Sequence, residues 1–237
     1  MTWNNTSRRF GSAYPRASPI FNFTRFDSRK HAVPASRPKN QKPRTTNNEH
    51  MRLKVRLASG DEPQRRVRRR LFQILGSYKE VSDWFFTNEV LIDDSKDSHS
   101  HPVLTIGSAG IGIQTDLGLL STFIHEQFHW HLSQHPERVK LAINDLKTRY
   151  PHVNVGTENG GARNEESTYL HLLVCFLEAE ALSLMVGRKR AMGFILRKPY
   201  YFWVYKKVAS DHEILATILA RRGLDSTQIE PLRHKLY

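Results

Sequence analysis

From residue 51 onward the apolar positions of the chain keep two rhythms, and the switches between them mark out its elements. Residues 52–57 alternate basic and apolar side chains, the period of a short edge strand. Residues 63–78 set Val67, Leu71 and Leu75 four apart, which predicts a helix with one buried face. Short apolar runs at 89–92 and 103–106 predict two further strands on either side of the polar stretch 93–101. The glycine-rich Gly107-Ser108-Ala109-Gly110 lacks the Lys-Ser/Thr of a P-loop and reads as a turn. From Leu117, with Thr115 or Asp116 as N-cap, Leu120, Ile124 and Phe128 form an apolar stripe broadened by Phe123 and Trp130. On the same helix Gly118, Thr122, His125 and His129 form a separate row, with room for a metal and a substrate.

Further on, residues 136–150 predict an amphipathic helix on Val139, Ala142, Ile143 and Leu146, with Glu137 near its start and Lys147 and Arg149 near its end. Residues 169–186 are apolar almost all round, the mark of a buried helix, closed by Gly187 and Arg188-Lys189-Arg190. Asp211 caps a last helix ending at Gly223, and the aromatic run from Tyr200 to Tyr205 reads as core, although a tyrosine hydroxyl from it, or His212, has the chemistry to reach a reacting centre. Long helices with a few short strands predict a helix-dominated α+β fold with a small sheet, as one domain over residues 51–237.

The first fifty residues have no such rhythm. Rich in Arg, Ser, Asn and Pro, they predict a disordered basic tail. Ten Lys/Arg against Asp27 and Glu49 give it +8, and residues 51–70 add +6, so the remaining 167 residues carry −1 of the total of +13. The positive charge therefore says little about the folded part. Phe10, Tyr14, Phe21, Phe23 and Phe26 interleave with Arg, a mixture able to stack on single-stranded nucleic acid. Binding of nucleic acid through residues 1–70 is thus conceivable but not favoured, because inert tails share this composition, and the run from Arg65 to Arg70 reads as the solvated face of its helix. Cys175 is the single cysteine, so no intrachain disulfide can form. A cytoplasmic protein without a membrane span is expected, the alternative being organelle targeting through the Arg/Ser-rich start.

The chemistry sits in His125-Glu126-Gln127-Phe128-His129, which spells HExxH. Residues four apart on a helix share a face, so both imidazoles can reach one Zn2+ ion while Glu126 stands beside it as general base. One ion per chain is expected, and two histidines leave it one protein ligand short.

Glu165, in Gly161-Ala162-Arg163-Asn164-Glu165, is the first candidate. HExxH followed by this segment resembles the gluzincin metallopeptidases, in which a downstream helix carries Gly-Ala-x-Asn-Glu and its Glu binds zinc. The resemblance covers residues 117–131 and 161–180 and implies a zincin-like catalytic domain whose metal is held by His125, His129 and Glu165. It departs from the family at Tyr169, where an Asp orients the first His; Glu178 is a candidate for that role. Glu166 is the adjacent alternative ligand. His135 has the spacing of the third ligand in metzincins, but Leu132 stands where their turn needs Gly. His171 shares a face of the buried helix with Glu178, which suits a ligand, a transition-state donor or a plain core His–Glu pair. Glu180, off that face, is expected in solvent.

These residues predict a zinc metallopeptidase acting on a peptide or protein substrate. Two alternatives accompany it: a non-peptidase zinc amidohydrolase, and a zinc-stabilised non-catalytic binding protein with a nucleic-acid-binding tail.

Overall fold

Three parallel strands, β1 (Lys54–Leu57), β2 (Glu89–Asp93) and β3 (Leu104–Gly107), lie in the order β1-β2-β3 in the computed structural model, which describes residues 53–107 and 111–225. The tail expected over residues 1–50 lies outside these residues. Val90 faces Leu104 and Ile92 faces Ile106 in register, and all four are fully buried, as befits a parallel sheet covered on its faces. Helix α1 (Glu62–Ser77) makes the crossover from β1 to β2 and buries Val67, Leu71 and Ile74, with Leu75 half-buried. Asp61 caps it, accepting from the Gln64 amide at 3.0 Å.

The link from β2 to β3 contains no helix. Its His99 pairs antiparallel with Thr105, with backbone hydrogen bonds of 3.0 and 2.8 Å, so the outer edge of β3 is already met by the chain itself. Ile111–Ile113 forms a short 3-10 turn ahead of the next helix.

Helix α2 (Asp116–Ser133) starts at Thr115, whose hydroxyl accepts from the Gly118 amide at 3.0 Å. It is buried on nearly every side rather than along one stripe. Gly118 has a different task from the one its row suggests: a Cβ there would sit 2.0 Å from the Gly112 carbonyl oxygen. The glycine makes room for the preceding turn, not for a metal.

Helix α3 (Pro136–Arg149) leads to α4 (Glu165–Val186), which packs against α2, α3, α5 (Arg188–Ile195), α6 (Phe202–Ser210) and α7 (His212–Arg222). By length and composition α4 could cross a bilayer, but most of it is buried inside the fold. Gly187, at φ +83°, ends α4, and Arg188-Lys189-Arg190 open α5 instead of closing the helix before it. The aromatic run forms the start of α6, with Tyr205 fully buried. Glu180 is buried rather than solvated: it lies opposite Glu178 on α4, and because that helix is enclosed it meets the His212 Nε2 of α7 at 2.7 Å. The architecture is a helix-dominated α+β fold with a small parallel sheet.

Candidate metal centre

Each residue of the HExxH segment has its own surroundings, and these follow from the two packed faces of α2. Phe128 is fully buried in the core. The buried Gln127 side chain holds the segment before β2, accepting from the Phe86 and Thr87 amides at 2.8 and 3.0 Å and donating to the Thr87 carbonyl at 2.9 Å. His125, Glu126 and His129 point elsewhere.

The imidazoles of His125 and His129 meet that of His171 from α4. One nitrogen from each of the three lies within 4.8 Å of the other two. Two rings are fixed through their inner nitrogens. His125 Nδ1 donates to Glu178 Oε2 at 3.0 Å, and His171 Nδ1 lies 2.7 Å from the Ser167 carbonyl oxygen one turn earlier. Both hydrogen bonds leave Nε2 as the free nitrogen, the arrangement by which a carboxylate or carbonyl sets the tautomer of a metal-binding histidine. Imidazole nitrogens converging on one point are ligands of the kind Zn2+ takes, once each has given up its proton.

A second group, His125, Cys175 and Glu178, is also close enough to hold an ion. Glu178 is spoken for there. Besides His125 it accepts from Ser121, from Lys198 Nζ at 2.5 Å and from the Tyr205 hydroxyl at 2.7 Å. Its carboxylate is fully enclosed, with no share left for a metal.

The charges follow this wiring. Burial would raise the Glu178 pKa, but the Lys198 ammonium and His125 outweigh it and hold the carboxyl below its usual range. Burial would lower His125, but the Cys175 sulfur and Glu178 push it up to about 10. His129 and His171 have no such carboxylate. Burial, aided by the neighbouring histidines, drops them to about 2 and about 4, so both are unprotonated donors at neutral pH. Glu126 is 7 % exposed, and its side chain makes no hydrogen bond or ion pair among the described residues. Burial raises its pKa, with His125 opposing, which moves a carboxylate toward the range of a proton acceptor working near neutrality.

Glu126 and His125 line a cavity of about 600 Å³ together with Thr122, Lys198, Tyr200 and Tyr201. Tyr201 is the one non-glycine residue with positive φ among the described residues, at +52°. Its ring lies 4.3 Å from that of His171 and is nearly parallel to that of His125 at 6.0 Å. The Gly160 carbonyl accepts from the Trp203 and Val204 amides, which ties the start of α6 to the loop between α3 and α4 and helps keep Tyr201 in its uncommon conformation.

The other carboxylates and histidines singled out in the sequence lie apart from this group. Glu165 and Glu166 are exposed in the first turn of α4, where acidic residues favour the helix dipole, and Glu166 pairs with Lys147 at 2.7 Å. Asn164 caps the helix through the Ser167 amide at 2.8 Å. The Asn-Glu-Glu segment is thus accounted for as a helix start. His135 begins α3 with its ring against His131. Lys198 and Ser121 carried no periodic or motif signal, and only the reach of Glu178 connects them to the site; Tyr201 and Tyr205 come from the aromatic run.

No family model, curated protein or solved structure matches this chain.

Proposed function

We propose that this chain is a zinc-dependent hydrolase of peptide bonds, with one Zn2+ held by His125, His129 and His171. The convergence of those three imidazoles, two of them fixed through Nδ1 and with the buried Glu126 alongside, carries the reading. On this reading the third ligand comes from the second helix, as in the gluzincin pattern, but from His171 rather than Glu165. Zinc bound by three histidines would supply a Lewis acid with an open coordination position and acidify a water held there.

The protein's own groups then divide the work. Glu126 takes a proton from the attacking water and returns it to the departing amine. Glu178 holds the His125 ring in place, and Lys198 balances the buried carboxylate. Tyr200 and Tyr201 wall the cavity and limit its water. Three protein donors favour catalysis over a closed, purely structural site, which needs four.

The test is cleavage of a proteome-derived peptide pool by the 237-residue chain, read by mass spectrometry. The proposal expects cleavage that is lost to a chelator and restored by zinc. A zinc-loaded protein that cleaves small amides but no peptide would replace it with an amidohydrolase.

A further inference from the structure

The imidazole cluster has a cavity on each side, and the two differ in chemistry. The first, described above, is the more polar of the two, with Thr122, Glu126, Lys198 and Tyr200 beside the apolar Ile113 and Pro199. The second, of about 630 Å³, is reached one turn further along α2, where His129 replaces Glu126 as the wall residue. Leu132 of α2, Val139 and Ile143 of α3 and Leu170 of α4 give it an apolar surface, with Lys140 and Glu166 also lining it.

The segment between β2 and β3 serves both, giving Asp97 and Ser98 to the polar cavity and Ser100 and His101 to the apolar one. It is anchored over the second. The His101 ring stacks on Trp130 at 4.3 Å and lies 3.2 Å from the Ser133 hydroxyl through Nε2, while Trp130 Nε1 donates to the Ser100 carbonyl at 2.8 Å.

We propose that the apolar cavity is a substrate pocket for a bulky aliphatic or aromatic side chain, so that the preferred substrate is a polypeptide carrying such a residue beside the scissile bond. The inference rests on the peptidase reading and adds its specificity. His129 gives the argument its force: as a ligand it faces the metal, and it also lines this pocket, so a side chain seated there holds its own backbone next to the reacting centre. The volume is far beyond the share of one water, and an apolar wall is best covered by apolar atoms. A small amide would leave this surface uncovered. Val139 and Leu170, on facing helices and both half-buried, are placed to set how large a residue enters.

The experiment is a set of peptides, equal except for Ala, Leu or Phe at the selected position, cleaved by the wild-type chain and by Val139→Phe. Wild type should prefer Leu or Phe over Ala by roughly tenfold or more, the scale on which an apolar pocket discriminates. Val139→Phe fills the pocket, so it should lose most of that preference, cleaving the Leu and Phe peptides little better than the Ala peptide, with unchanged zinc content. Should this variant not fold, Leu170→Phe makes the same test from the opposite wall. Cleavage with no side-chain preference, or an equal loss on all three peptides in a well-folded, zinc-loaded variant, overturns the pocket and leaves the peptidase reading standing. No cleavage of any peptide by the zinc-loaded wild type overturns both.

Discussion

Glu178 Oε2 accepts the Nδ1 proton of His125 at 3.0 Å, a contact that joins α4 to α2 and aims the free His125 nitrogen at the space shared with His129 and His171. The same carboxylate takes Lys198 on its other oxygen at 2.5 Å. Replacing it with Gln keeps the shape but strands a buried ammonium. Glu178→Gln should cost about 3–5 kcal/mol of stability and weaken zinc binding by about 10–100-fold, measured by chemical denaturation and chelator competition. Glu178→Gln with Lys198→Met should regain stability but not zinc affinity. Recovery of both would reduce Glu178 to a purely structural partner.

The pH dependence of the metal-free protein follows from the two depressed histidines. Burial holds His129 at about 2 and His171 at about 4, below the ordinary value of 6.5. Below pH 6.5 the unfolded chain takes up protons that the folded chain refuses, so stability is present above 6.5 and falls as pH drops, until His171 protonates near 4. Each such histidine costs about 1.4 kcal/mol per pH unit over that window. His125, raised to about 10, works the other way: its contribution is full below 6.5 and is lost progressively as pH rises from there to about 10. Denaturation midpoints of the chelator-treated chain should therefore fall between pH 6.5 and 4, and the fall should lessen in His171→Ala. A flat profile would contradict the neutral, buried imidazoles.

Glu126 lines the cavity but is not counted among the metal ligands. Glu126→Gln should keep one zinc per chain and lose turnover by about 10²–10⁴-fold, the range ascribed to a positioned acid–base group. Undiminished hydrolysis by that variant would remove it as the proton acceptor.

Helices α2 and α4 were legible because their signals are local: Thr115 before an apolar run, HExxH within it, and a stretch from Tyr169 to Val186 too apolar to lie at the surface. The choice among third ligands was not legible, because a motif names residues while a helix face selects them. At 100° per residue, His171 and Glu178 point nearly the same way, whereas Glu165 lies about 120° round the helix from His171 and about 9 Å along it. Once Glu178 meets His125, His171 is carried to the site and Glu165 away from it. Glu180 shows the reverse case: its direction was right, but the far side of an enclosed helix is protein, not water. Lys198 could not be read, since it gains meaning only from a partner 20 residues away, and Tyr201 showed only as part of the aromatic run, its place depending on a backbone twist held near Gly160.

The most direct test of the metal site is elemental analysis of the 237-residue chain, purified without chelators, beside His171→Ala and Glu165→Ala. One zinc per chain, lost in His171→Ala and kept in Glu165→Ala, is the expected result. Zinc kept without His171 but lost without Glu165, or no metal in a folded wild-type sample offered zinc, would contradict the three-histidine centre.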